Sequence, residues 1–323
     1  MHASPADGFS VRLATSKDRD RLLAVVSEHQ PGVDTQQRYS WLYERNPHGH
    51  ALTWVATAPD TGEIMGVASY FRKRLMLGTR TVEGALGGDC FVRPQFRRRG
   101  IGMALHRAGR DAMKQFGIEV MFGTPTPANM GPLRNCGGHD VSEVVRYTHP
   151  VTAFDALVRR MSPRASSALR LDEMTDLDPR IDHLWHRTRP ELRIATIRDA
   201  TFYTWRFLRA PMSRERPYVI LDHGRPVAAC ALERVGAQVR VIDLLAPREA
   251  WSRALTAIVR ASHGCAAVNL RIPRSIAASH KLWRHGFLAR DAKPLNIVLP
   301  QDAPTDAPFL DERAWYYSWA DST

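Results

Sequence analysis

Apolar positions along this chain switch between two spacings. Some runs are alternating or continuous, as in half-buried or buried strands; in others apolar residues recur every third or fourth position, as on one helix face. Residues 10–14 fit a strand. Residues 17–28 fit a helix that places Leu22, Leu23, Val25 and Val26 on one face, with Thr15 or Ser16 as its N-cap and Pro31-Gly32 as its stop. Residues 39–47 form an aromatic-rich helix closed by Asn46-Pro47 and Gly49. Strands at 52–58 and 64–71 flank the turn Pro59-Asp60-Thr61-Gly62, a hairpin pattern. Residues 75–80 and 81–92 add strands, with Gly78 as a turn or bulge. From Met103 to about Phe116 a helix turns Ala104, Leu105, Ala108 and Met113 inward and Arg107, Arg110 and Lys114 outward; His106 is expected at the surface. Gly117 stops it and residues 118–123 follow as a strand. Asn129 opens a short helical segment that ends near Gly137-Gly138, and closing strands follow at 141–151. Strand, glycine-rich turn, helix and strand in this order predict a parallel βαβ crossover.

The second half repeats the first. Residues 203–211 align without a gap on 39–47, matching Tyr, Trp, Arg and Pro. Strand, turn (His223-Gly224) and strand follow again. Residues 239–245 then correspond to the strand before the glycine-rich turn, 251–261 to the helix after it, and 282–287 to 133–138. Two copies of one α/β domain, each a mixed twisted sheet flanked by helices, are predicted. The expected division is a flexible tail at 1–9, a first domain at 10–155, a linker at 156–178 rich in Pro, Ser, Arg and Asp, and a second domain at 179–323.

Composition narrows the class. With 323 residues, 44% hydrophobic and 24% charged, the chain is that of a globular protein, and no apolar run approaches the ~20 residues of a membrane span. Four separated cysteines (Cys90, Cys136, Cys230, Cys265) without a CxxC pair are expected as free thiols in a reducing, cytoplasmic setting, with no metal. The net charge of +12 attracts anions. Helix-turn-helix, zinc-finger and RNA-binding signatures are absent, which argues against nucleic acid and leaves acidic membrane surfaces or phosphorylated small molecules.

Candidate chemistry concentrates at Arg97-Arg98-Arg99-Gly100-Ile101-Gly102, between a strand and a helix. The first N–H groups of a helix lack internal partners, and its dipole favours anions there. Gly100 and Gly102 remove side chains that would block a phosphate, and the three arginines add charge-assisted donors. The reading is a pyrophosphate cradle. The second copy has Ala246-Pro247-Arg248-Glu249-Ala250 at this place, with no glycine pair, so a single such site belongs to the first half.

These residues resemble a known family. Arg97-x-x-Gly100-x-Gly102 matches the Gln/Arg-x-x-Gly-x-Gly/Ala signature of GCN5-related N-acetyltransferases (GNAT). Asn129 with Leu133 and Gly138 is similar to that family's later Asn…Leu-Tyr-x-x-x-Gly-Phe helix, and Leu282 to Phe287 echoes it. The resemblance spans most of 10–150 and, in a weaker, degenerate form, about 180–300. It implies acetyl transfer from acetyl-CoA to a primary amine of a small molecule, by direct attack in a ternary complex. It further implies that Phe91 and Val92 pair with the pantetheine arm, Arg97 to Gly102 hold the pyrophosphate, and Asn129 contacts the thiol end. The family's acid tyrosine is replaced by Arg134, so Cys136, His139 or water is expected to protonate the leaving thiolate, or Arg134 to stabilise it as a fixed charge. Asp89, with Glu83 as a weaker alternative, is the candidate base. Tyr39, Trp41 and Trp205 are candidates for an acceptor pocket. A longer acyl donor (acyl-CoA or acyl carrier protein) and a non-catalytic CoA-binding module are the alternatives. Aminoacyl transfer from charged tRNA is disfavoured by the intact phosphate turn.

Overall fold

The computed structural model describes residues 8–151 and 168–322. The expected tail up to residue 7 and the expected linker up to residue 167 lie outside the described residues. The first half supplies strands β1 (Ser10–Leu13), β2 (Leu52–Thr57), β3 (Ile64–Leu77), β4 (Arg80–Val92), β5 (Val120–Gly123) and β6 (Gly138–Pro150). The second supplies β7 (Leu169–Glu173), β8 (Ile194–Thr196), β9 (Glu215–Asp222), β10 (Arg225–Val235), β11 (Gln238–Leu245), β12 (Ala267–Pro273) and β13 (Leu288–Val298). The strand β7 thus falls within the stretch expected as linker. Helices α1 (Arg19–His29), α2 (Thr35–Tyr39), α3 (Ile101–Asp111) and α4 (Pro127–Asn135) flank the first half; α5 (Arg180–Thr188), α6 (Ala200–Tyr203), α7 (Trp251–Ala261) and α8 (Arg274–Ser279) flank the second.

All strands join one mixed sheet in the order β1-β2-β3-β4-β5-β13-β6-β12-β11-β10-β9-β7, with β8 pairing off this path to β3. The order has an internal two-fold logic. Each copy runs through a parallel pair, β4 with β5 and β11 with β12. Each is then completed by the other copy's last strand: β13 pairs with β5, and β6 pairs with β12. The exchanged strands pair with each other at the centre. Neither half closes its own sheet.

Where the repeat was clearest in sequence, it is clearest in space. Asp34 caps α2 by accepting the Gln37 N–H at 2.9 Å, and Asp199 caps α6 by accepting the Phe202 N–H at 2.8 Å. Each helix then continues into a π-helical turn, Ser40–Glu44 and Thr204–Leu208. Trp41 and Trp205 stack across the boundary between halves with centroids 4.8 Å apart. Each indole N–H donates to the other's backbone carbonyl, at 2.9 Å and 3.3 Å. Aromatic side chains at these positions therefore weld the copies together rather than line one surface.

Two expectations shift. The strands predicted at 64–71 and 75–80 are one continuous β3, because Phe71, Lys73 and Leu75 all face inward, each 0% exposed, while Arg72 and Arg74 alternate away. The helix predicted from Met103 starts at Ile101, where Gly100 at φ 77° caps it in the left-handed region. One large apolar cluster crosses both halves, and a smaller one (Trp54, Tyr70, Ile101, Leu105, Met113, Val298) lies beneath α3. All four cysteines are free. Among the described residues no helix is long and apolar enough to cross a membrane.

The boundary also buries charge. The Arg198 guanidinium donates to Asp243 at 3.1 Å, Asp321 at 2.6 Å and Ser318 at 3.2 Å, in a network closed by Tyr203 on Asp243. Lys73 sits nearby with its Nζ 5.2 Å from the Trp205 ring centre and no hydrogen-bond partner among the described residues. Burial, helped by the charges of Arg206 and Arg198 and opposed by Asp321, lowers its pKa from 10.5 to about 7. The unfolded chain then holds this proton between about pH 7 and 10.5 while the folded chain does not, so stability from this group rises with pH across that window. Below it, both states are charged and the cost of burying the ammonium is at its full value. Lys73→Met, which keeps the volume and removes the charge, is expected to raise the melting temperature by several degrees at pH 6 and by much less at pH 9. Equal shifts at both pH values would contradict this account.

Candidate functional site

The parallel pairing of β4 with β5 covers only Gly84 to Leu86 against Val120 to Phe122. Beyond it β4 continues to Val92 while β5 ends at Gly123, and the two strands part. Between them opens a cleft of about 710 Å³. Opposite the cleft β4 stays paired with β3, but with an extra residue between Gly88 and Phe91, a β-bulge. Asp89 takes this place with φ 45°, a strained geometry for a residue with a side chain. The bulge re-aims the backbone of residues 88–91 along the cleft wall.

The cradle stands at the cleft's outer end. Arg97, Arg98, Gly100, Ile101 and Gly102 line it, as do Phe91, Val92 and Asn129. Arg98 at φ 62° and Gly100 at φ 77° turn the backbone into the N-terminus of α3. A Cβ on Gly100 would meet nothing within 4 Å, and one on Gly102 would come no nearer than 3.9 Å to Val92. Packing therefore does not explain Gly102; the open space above it does, as room for a ligand over the free helix N–H groups. Arg97 donates to the Val92 carbonyl at 3.1 Å and covers the Phe91 ring. Arg99 departs from the expectation: it lies over Phe96, 5.6 Å from the ring centre, and is not among the cleft's lining residues. Arg93 is taken up by Glu28 at 2.6 Å and Glu63 at 2.9 Å.

The expected catalytic groups are placed differently. Asp89 lies in the cleft wall, but its carboxylate accepts two bonds from Arg38 (2.6 Å and 3.1 Å), one from Tyr43 (2.6 Å) and one from Gln30 (2.8 Å). Burial opposes the Arg38 charge, the Asp89 carboxylate outweighs it, and the Arg38 pKa is raised. Burial and the Asp89 charge push Tyr43 well above its usual value. Arg134 points away from the cleft into an ion pair with Asp140, and Cys136 turns its thiol to the Met103 carbonyl at 3.6 Å. Neither lines the cleft, because α4 presents Asn129, Pro132 and Leu133 to it instead. Glu83, partly paired with Arg72, and His139 are also absent from its walls.

Three groups escaped sequence reasoning. His106, expected in water, is 3% exposed, faces the cleft, and shares a hydrogen bond of 3.0 Å between its Nδ1 and the Tyr70 hydroxyl. Burial lowers its pKa to about 4, so it is neutral near pH 7. Tyr70 fits under α3 because Gly109 has no side chain; a Cβ there would lie 2.5 Å from the ring. His29, at the end of α1, lines the cleft and stacks on Phe91 at 4.8 Å. The exchanged strand also contributes: Asn296 and Val298 line the inner cleft, and Asn296 donates to Asp140 at 2.9 Å, bracing the α4–β6 corner. The one signal in the sequence is the helical spacing that puts His106 on the same face as Gly102 and Gly109.

Of the acceptor candidates, Tyr39 and Trp205 are buried at 8% and 4% exposure, and Trp41 alone edges a surface groove. This groove, about 460 Å³, lies between residues 30–41 and 206–215. It carries Asp34, Glu215 and Glu233 together with Arg38, Arg206 and Arg214; Glu215 is paired with Arg206 and Glu233 with Arg240. Gln30 and Arg38 form its inner wall and hold Asp89, which lines the cleft on the other side, so the partition is about one side chain thick.

Residues 20–132 match the model of the Acetyltransferase (GNAT) family. No curated protein matches the chain by sequence. Among solved structures, a GCN5-related N-acetyltransferase from Anabaena variabilis superposes with a TM-score of 0.67 at 14% identity, covering 91% of this chain and 73% of that one. One from Kribbella flavida gives 0.66 at 16% identity, covering 92% and 72%. Eis1 from Mycobacterium abscessus gives 0.62 at 17% identity, covering 90% and 73%. At these identities the likeness establishes the fold.

The Arg38–Asp89 pair, with side chains 10% and 4% exposed, makes a prediction about stability. Asp89→Asn strands a buried guanidinium and is expected to cost about 3–5 kcal/mol in chemical denaturation. Adding Arg38→Met is expected to recover much of it. A stable Asp89→Asn protein that loses only turnover would instead make Asp89 the base.

Proposed function

We propose that this chain, an acyltransferase of the GNAT type by its family domain and fold, moves an acetyl group from acetyl-CoA to a primary amine of a small molecule. The observation that carries the proposal is the parted β4–β5 pair, which leaves an unpaired strand edge running to a glycine-and-arginine helix N-terminus. Unpaired backbone groups demand partners. The amide-rich pantetheine arm supplies them along residues 87–92, and the cradle neutralises the pyrophosphate. The bulge at Asp89 supports a role for a backbone N–H of residues 88–91 in polarising the thioester carbonyl, where negative charge develops.

The acceptor enters from the groove between the halves, where Asp34, which forms no ion pair among the described residues, is the carboxylate placed to meet an amine. After the ammonium gives up a proton, its nitrogen lone pair attacks the thioester carbon, the tetrahedral species collapses, and the C–S bond breaks to release the CoA thiolate. The proton lost by the amine needs an acceptor at the cleft wall. His29, on the α1 end beside the groove-lining Gln30, is the side chain best placed for it. Asp89 then acts as a positioning residue: it fixes Arg38, Tyr43 and Gln30 and so holds the bulged strand and the partition. The open inner cleft below Tyr70 and His106 favours testing longer acyl donors beside acetyl-CoA.

Thiol release from acetyl-CoA and from acyl-CoAs of increasing chain length, with a panel of amines, tests this reading. Release with one amine class is expected, and His29→Asn is expected to lower kcat/KM by about 10²-fold and to remove the acid limb of its pH profile. Acetyl-CoA binding without thiol release on any amine would support a non-catalytic CoA-binding module instead. An unchanged pH profile in His29→Asn would exclude His29 as the base.

A further inference from the structure

The second copy keeps the outline of the donor cleft and fills it differently. The strand β11 pairs in parallel with β12 only from Gln238 to Val241, then continues to Leu245. The gap that opens there is occupied by the chain's own C-terminal segment. The Tyr316 hydroxyl donates to the Leu244 carbonyl. The Tyr316 N–H and the Ala314 carbonyl bond to Ile194, at 2.8 Å and 2.9 Å. What remains beside Trp251, at the start of α7, is a pocket of about 290 Å³.

Its walls are apolar: Leu244, Leu245, Ala246, Trp251, Ile276 and Tyr316. Three arginines stand at its rim: Arg193 is ion-paired with Asp311 and Arg313 with Glu312, which leaves Arg248, near Glu191, as the rim guanidinium with no ion pair among the described residues. Glu191 accepts the Arg248 backbone N–H at 2.7 Å, while the Arg248 guanidinium makes a long bond of 3.3 Å to the Ser279 carbonyl across the opening. His280 stacks on Trp251 at 3.9 Å, and burial followed by the Arg248 charge lowers its pKa to about 4, so it adds no cation near pH 7. Two lining hydroxyls lack a partner. Thr188 is 3% exposed, and its Oγ1 and the Ser275 Oγ are buried with no hydrogen-bond partner among the described residues. A buried polar group left this way is unfavourable, and a ligand oxygen would relieve it.

We infer that this pocket is a second ligand site, which binds a small carboxylate with an apolar body. The ligand oxygens meet Arg248 and the two hydroxyls, and the apolar body lies on the Leu244–Tyr316 wall. A phosphate is the poorer fit. The turn that would cradle it is Ala246-Pro247-Arg248-Glu249-Ala250, with Glu249 near the helix start and no glycine to admit an anion to the backbone. A planar carboxylate instead suits a guanidinium at the rim. The site is independent of the donor cleft and does not rest on the reading of its chemistry.

The full chain titrated with hexanoate, and separately with inorganic phosphate, by calorimetry and thermal shift tests the inference. Hexanoate is expected to bind saturably and more tightly than acetate, with phosphate weaker than either. Arg248→Gln and Thr188→Val are each expected to weaken hexanoate about tenfold, the equivalent of one lost charged or neutral hydrogen bond. Thr188→Val is expected to raise the melting temperature without ligand, because it removes an unpaired hydroxyl. Gly102→Glu, in the donor cleft, is expected to leave hexanoate binding unchanged. Absence of saturable binding, phosphate binding as tight as hexanoate, or loss of binding in Gly102→Glu with retention in Arg248→Gln would each overturn the inference.

Discussion

A strand that outruns its partner is the constraint from which this structure follows. After Leu86, β4 has no β5 beside it, and its backbone donors and acceptors on that edge face a cleft. Backbone groups withdrawn from both water and partners are costly, so such an edge is either covered by the protein or reserved for a ligand. The two copies take the two solutions. In the first, the edge is left open and leads to Gly100 and Gly102 at a helix N-terminus. In the second, the chain's own Tyr316 and its neighbours close the corresponding gap, leaving a smaller pocket with Arg248 at its rim. One architecture, with one edge open and one plugged, underlies the proposal that the acyl donor binds in the first half.

The exchange of final strands makes the halves dependent on each other. Because β13 supplies Asn296 and Val298 to the donor cleft, the second copy is part of the first copy's site although it lacks a cradle. The reciprocal Trp41–Trp205 contact, the Arg198–Asp243–Asp321 network and buried Lys73 all gather at the same boundary. Buried charges of this kind are weak contributors to net stability but penalise any misaligned packing strongly, which favours a single arrangement of the halves. The groove carrying Asp34, Glu215 and Glu233 exists only because that arrangement is fixed.

Local chemistry was legible in the sequence, and long-range placement was not. The cradle could be read because a glycine pair, a run of arginines and a following amphipathic helix are all contiguous. The repeat could be read because Tyr, Trp, Arg and Pro recur at fixed spacing in 39–47 and 203–211. The strand exchange left no such mark: β6 and β13 both look like closing strands, and nothing local says which sheet each one joins. Lys73 broke the expected pattern because a buried lysine reads as a strand end. His106 read as a surface residue because its partner Tyr70 lies 36 positions away. Asp89 was legible as a residue near the cleft, but its partners Arg38, Tyr43 and Gln30 come from other elements, and the positioning role proposed for it rests on them. Arg134 and Cys136 followed from aligning α4 with a family pattern, and the rotation of α4 carries both away from the cleft.

The central claim is that the open edge of β4 and the turn into α3 together receive the acyl donor. Amide hydrogen exchange of the full chain with and without acetyl-CoA tests it most directly. The account predicts that protection on binding concentrates in residues 87–92 and 98–103, with little change along β11 or at the start of α7. Protection centred on the second copy, or acetyl-CoA binding that leaves residues 87–103 unchanged, would contradict it.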